Sequence, residues 1–145
     1  MSDAKSNYFE EAFMKLVFHA TSIATLAQDS SGGGATDLVL ALHTADPGET
    51  GTQDASEANY TGYARLKVAR TTAAWTVTTL GVVNPTTVLA WPAASGGTNT
   101  ITHGSLSLST VAATNILWSG TISPNISVSA GITPQMTSGF TISET

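Results

Sequence analysis

Apolar positions fall into two regimes along the chain. Phe9, Ala12, Phe13, Leu16, Val17 and Ala20 recur at helical spacing, one continuous stripe with Tyr8 and Met14 on its flanks. Asn7 is placed to cap this helix, and Glu10 three positions on can reach back to it in the manner of a capping box. Glu10 and Glu11 fall in the first turn, where the helix dipole favours anions. The stripe predicts a helix docked on the domain's own sheet; the competing reading lays it on a partner. A further helical turn over residues 22–28 is expected, and Asp29-Ser30-Ser31-Gly32-Gly33-Gly34 then breaks the chain as a loop.

After Asp37 the period becomes two. Leu38, Leu40 and Leu42 alternate with Val39, Ala41 and His43, a strand whose two faces are both largely apolar. Further strand runs cover 64–70, 75–79, 80–83, 88–91, 100–109, 115–123, 126–130 and 140–143. Between them stand turn-forming residues: Asn84-Pro85, Ser95-Gly96-Gly97, Ala112-Ala113-Thr114, Pro124-Asn125 and Gly131 to Pro134. Short strands separated by about 8–12 residues describe an all-β sandwich or barrel. No helices punctuate the strands as a parallel βαβ sheet would require. The organisation expected is one structural domain: residues 1–36 as helix and Gly-rich linker on or beside a β-sandwich of residues 37–145. Trp75, Trp91 and Trp118 each sit in a strand and read as core or sheet-edge aromatics.

Composition narrows the function more than it changes the fold. The chain has 145 residues, 41% of them hydrophobic and only 10% charged, with a net charge of −5. Five scattered cations (Lys5, Lys15, Arg65, Lys67, Arg70) do not make the basic face that displaces counterions from phosphates, so no nucleic-acid partner is expected. No run approaches the roughly 20 apolar residues of a membrane-spanning helix, so no membrane is expected either. The N-terminal MSDAKSNYFEEAF lacks an apolar signal core. Cysteine is absent, which removes disulfides, thiolate nucleophiles and zinc–sulfur sites. From Thr71 to Ser143 there is no Asp, Glu, Lys or Arg; Thr, Ser, Ala, Gly, Asn, Val and Ile take their place. A hydroxyl-rich surface of this kind pairs well in sheets and repels no neighbour, which suits a protein packed beside others; a neutral surface with no such purpose is the equal alternative.

The stretch ALHTADPGETGTQDASEANYTGYARL, residues 41–66, gathers His43, Asp46, Glu49, Asp54 and Glu57. Its carboxylate spacing does not follow the EF-hand pattern. No G-x-S-x-G elbow accompanies any serine, and the glycine run at 32–34 lacks the G-K-[ST] of a phosphate loop. His43 and His103 have no acid poised beside them in a triad arrangement, so each reads as a structural histidine bonded to backbone. Asp46-Pro47-Gly48 is a turn: Pro presets φ, Gly takes the permissive position and Asp bonds the turn amides. The stretch therefore reads as strand, turn, long loop and return strand, with no catalytic residue, metal or cofactor. Asn59-Tyr60-Thr61 and Asn125-Ile126-Ser127 match the glycosylation sequon, which carries no meaning without a secretory route.

LVLALHTADPGETGTQDASEANYTGYARLKVART, then Trp75, then ISPNISVSAGITPQM, with FEEAFMKLVFHAT at the N-terminus, resembles a family of small tailed-bacteriophage structural proteins often labelled tail-fibre-like. One branch resembles the cement, or decoration, proteins that reinforce phage heads. The resemblance spans residues 7–142. It implies a jelly-roll-like antiparallel β-sandwich preceded by one N-terminal amphipathic helix, made in the host bacterial cytoplasm and placed on the outer surface of the virion capsid. The expected role is a non-enzymatic cement protein bound to the major capsid protein, self-associating as a homodimer or, less simply, a trimer. A tail-fibre or receptor-binding module touching the host surface is the alternative. Candidate partner-facing residues are Tyr8, Phe9 and Phe13 on the helix, and Asp46, Pro47, Tyr60 and Tyr63 in the loop.

Overall fold

The computed structural model describes residues 7–22, 35–48, 51–78, 81–111, 113–138 and 140–143, with backbone alone for residues 7–10 and 143. Among the described residues the chain is mainly β, with antiparallel sheets and one short N-terminal helix. It divides into two compact units, each assembled from separated segments. One comprises residues 37–68 and 89–135; the other comprises 1–36, 69–88 and 136–145.

The first unit is built on β1 (Asp37–His43), whose residues from Leu38 to His43 are all buried. Such a strand belongs in the middle of a sheet, and β1 lies second in the order β2-β1-β6-β7. Here β2 is Leu66–Ala69, β6 is Asn99–Ser107 and β7 is Trp118–Val128. β1 and β6 run antiparallel from Val39 opposite Ser107 to His43 opposite His103. The β6–β7 register sets Leu106 opposite Trp118 and Ile101 opposite Ile126, and shifts between Ile101 and His103. Residues 122–125 of β7 thus face Thr102 alone. The turn expected at Pro124-Asn125 is therefore a bulge inside one long strand, a place where Pro, lacking an N–H, is tolerated on a sheet edge. Trp91, Ala94, Ile101, Leu106 and Val128 join β1 among the buried residues. The short β5 (Leu89–Ala90) pairs with β8 (Gln135–Met136), a strand with no signature in the hydrophobic pattern.

In the second unit, β3 (Trp75–Val77) pairs antiparallel with β4 (Val82–Pro85), which pairs with β9 (Ile142–Ser143). The helix α1 (Asn7–His19) packs on β3 and β4, so its apolar face does dock on a sheet of its own chain. The fully buried positions are Met14 and Phe18, one step round from the expected line through Phe13 and Val17, which are half-buried. Trp75 makes the difference: the Phe18 ring meets it edge-on, centroids 5.0 Å apart at 69°. Arg70 closes the helix end. Its Nε donates to the Val17 carbonyl at 2.5 Å, Nη2 to Leu16 at 2.7 Å and Nη1 to Ala35 at 2.6 Å. Two of those carbonyls belong to the last turn of the helix, at the end where the dipole favours a cation. Ala20 then turns the chain with φ +53°. The side chains of Asn7 and Glu10, residues 23–28 of the turn expected over 22–28, and the glycine run at 32–34 lie outside the described residues.

Candidate functional site

The loop that returns from β1 to β2 is fastened to the sheet by polar side chains. It opens as the sequence requires: Asp46 Oδ1 accepts the Gly48 N–H at 2.9 Å, and Gly48 takes φ +75°. Gly51 admits no side chain, because a Cβ there would lie 1.8 Å from the Pro47 carbonyl oxygen. Gln53 then enters the interior with no exposure. Its Nε2 donates to the Val39 carbonyl at 3.0 Å and to Ser105 Oγ at 3.2 Å, and its Oε1 accepts the Ser107 hydroxyl at 2.6 Å.

His43 continues this network. Its Nδ1 stands 2.8 Å from the Ala55 carbonyl oxygen and its Nε2 stands 2.7 Å from Ser105 Oγ. A carbonyl only accepts, so Nδ1 carries the proton and Nε2 accepts the Ser105 hydroxyl. Hydrogen bonds therefore run in one direction, from the Gln53 amide to Ser105, from Ser105 to His43 and from His43 to Ala55. Every member is satisfied with the imidazole neutral, and burial holds the His43 pKa below its ordinary value. The distance matches that of a serine–histidine dyad, but the orienting group is a backbone carbonyl. His43 has no exposed surface and Ser105 only 5%, so a substrate carbonyl has no approach to the hydroxyl. The arrangement holds a loop; its chemistry is spent within the fold.

A second fastening lies further along. Arg65 grips the Glu57 carboxylate with Nε at 2.7 Å and Nη2 at 2.8 Å, and gives Nη1 to the Val111 carbonyl at 2.7 Å. The Tyr63 hydroxyl donates to Glu57 at 2.8 Å and accepts the Leu42 N–H at 3.1 Å. Burial, before any other cause, raises the Tyr63 pKa, and the hydrogen bond to Glu57 leads in raising that of Arg65. Asn99 supplies the third tie: its Oδ1 accepts the N–H groups of Asn59 and Tyr60, each at 2.9 Å.

The expected site residues are therefore dispersed by this packing. Asp46 is exposed and occupied with its own turn, while Pro47 is buried. Tyr60, expected to face a partner, is 2% exposed, gives its hydroxyl to the Pro92 carbonyl at 2.9 Å and meets the Tyr63 ring edge-on at 5.3 Å. Tyr63 is half-buried over Glu57. Phe13 is half-buried on the helix, and the side chains of Tyr8 and Phe9 lie outside the described residues, as does Glu49. Asp54 accepts the Thr52 hydroxyl, which lowers its pKa. Among the described residues no cluster of three His, Asp or Glu could hold a metal ion. No described helix is long and apolar enough to cross a membrane.

Gln53, Ser105, Ser107 and Asn99 do most of the fastening and were not singled out by their sequence. Ser105 and Ser107 alternate with Leu106 and Leu108, which marks a strand but leaves open which face the loop covers. Residues 4–141 match the family model described as Podophage GP4 fiber I protein gp80. No curated protein matches the chain.

Proposed function

The chain belongs to the family of the podophage GP4 fiber I protein gp80, a bacteriophage structural family and hence a virion component, and on that premise we propose that it is a non-enzymatic fibre module acting through protein–protein contact. The observation that carries this reading is the family match, which runs over residues 4–141 and names a fibre protein. The geometry of the loop agrees with it. A strand-to-strand loop cross-tied by His43, Gln53, Glu57 and Asn99 is a rigid scaffold, and rigid loops on sheets are how binding surfaces are positioned without catalysis.

A second reading keeps one observation of its own. The absence of charge from Thr71 to Ser143 suits close packing on a crowded shell, as for a cement protein on the outer face of the major capsid protein. Anything that binds only the assembled shell stabilises it by mass action, multiplied over many copies.

Fab fragments raised against the chain separate the two. For a fibre module, saturating Fab on intact particles blocks adsorption to host cells and leaves the head's heat resistance unchanged. Unimpaired adsorption, with heads that release DNA at lower temperature once the chain is stripped, overturns the fibre reading in favour of cement.

A further inference from the structure

β7 ends the four-stranded sheet: β6 lies on one side, and among the described residues no strand pairs with the other. It is 11 residues long, and every residue from Ser119 to Thr121 is exposed. Natural edges are guarded by charged side chains, Pro or bulges. The bulge containing Pro124 guards the far half of this strand. The near half, residues 118–121 (WSGT), has no guard and no charge.

Gly120 adds an independent observation. Glycine weakens a strand interior unless the backbone or the space demands it. Here φ lies outside the left-handed region, and a Cβ on Gly120 would meet nothing within 4 Å. Nothing among the described residues asks for glycine there, and strand glycines often stand where another backbone comes close.

We propose that the outer edge of β7, over residues 118–121, pairs antiparallel across a two-fold axis with the same segment of a second copy of this chain. Identical strands meeting on a two-fold set each side chain near its own kind, so any charge would face a like charge. This segment carries none, which favours a copy of itself over a partner selected by charge. A register centred on Ser119 sets that residue opposite its own copy and sets Trp118 opposite Gly120 of the second copy. The indole then lies over the bare glycine, the aromatic cover that compensates strand glycines elsewhere. Leu117 (42% exposed) and Val111 (67% exposed), on the hairpin leading into β7, add apolar surface beside the pairing strands. The pairing holds for a fibre and a cement protein alike, so its failure leaves the choice between them untouched.

Sedimentation velocity of the full chain over a wide concentration range tests this, with Ser119→Lys setting two lysines face to face and Thr133→Lys adding the same charge in an exposed loop. The expected result is a reversible dimer whose dissociation constant rises at least tenfold in Ser119→Lys and is unchanged in Thr133→Lys. Hydrogen exchange of the wild-type amides at 118–121 should slow as concentration rises, a readout that stands even where Ser119→Lys folds poorly. A wild-type chain monomeric throughout assigns the edge to some other protein and overturns the proposal. So does a trimer, an unweakened Ser119→Lys dimer, or exchange at 118–121 that ignores concentration.

Discussion

The His43 imidazole accepts the Ser105 hydroxyl at 2.7 Å in a place where His43 has no exposure to water. The pair joins two strands that sit side by side in the sheet, and through the other ring nitrogen it ties them to Ala55 in the long loop. That relationship makes the loop pH-sensitive in a definite direction. Burial depresses the His43 pKa below 6.5, so below that pH the unfolded chain binds more protons than the folded one. Stability is fully present above 6.5 and falls as pH drops from there toward the folded pKa. Urea denaturation across this range should show the decline in the wild type and a shallower one in His43→Gln. An identical slope in the variant would assign the effect to other groups.

Gln53→Leu keeps the volume and removes the amide. Ser107 can turn to the Ser109 carbonyl at 3.1 Å, but the Val39 carbonyl loses its side-chain donor. Each of the three buried hydrogen bonds lost contributes about 0.5–1.5 kcal/mol net, so the loss expected in chemical denaturation is about 2 kcal/mol. The neighbouring loop amides should also exchange faster. A neutral substitution would mean that the network contributes no net stability.

Glu57 and Arg65 form a two-pronged pair with side chains only 18% and 8% exposed. Arg65→Ala strands a carboxylate in that setting and should cost about 3 kcal/mol, near the lower end for breaking a buried pair. Removing both in Glu57→Leu/Arg65→Leu should cost less than the sum of the single changes, because neither leaves a partner behind. Additive losses in a double-mutant cycle would show that the two act independently.

Arg70→Met retains the aliphatic stem and removes the donors to Leu16, Val17 and Ala35. A loss of about 2–3 kcal/mol is expected from the carbonyls left without their charged donor. The exchange of helix amides should rise more than that of β1. Conversely, Ala20 stands at φ +53°, where a Cβ is strained, so Ala20→Gly should raise stability by about 0.5–1 kcal/mol in thermal melting.

What the pattern of residues conveyed and what it did not follow from the physics of each. The stripe on α1 and the alternation in β1 are local periodicities, and both elements form where the periods place them. The Asp46-Pro47-Gly48 turn was equally legible, since φ preferences and an aspartate–amide bond act within three residues. Phe18 was missed because its burial depends on Trp75, 57 positions away in the chain. Pro124 read as a turn because its intrinsic preference is for one; the place of β7 at the end of the sheet order lets it stay within a strand. The loop is the sharpest case. Asp46 and Asp54 stay with partners two residues away, but His43 goes to Ser105, 62 positions on, and Glu57 to Arg65 at the far end of the loop, which no local rule foretells.

The central claim is that this virion component works as a fibre module. Its most direct test is to locate and count the chain on purified particles, by band ratios against the major capsid protein followed by imaging of antibody-labelled virions. The fibre reading predicts a small number of copies, with label confined to the tail. A ratio near one copy per capsid subunit, with label over the head, would contradict it and establish cementing instead.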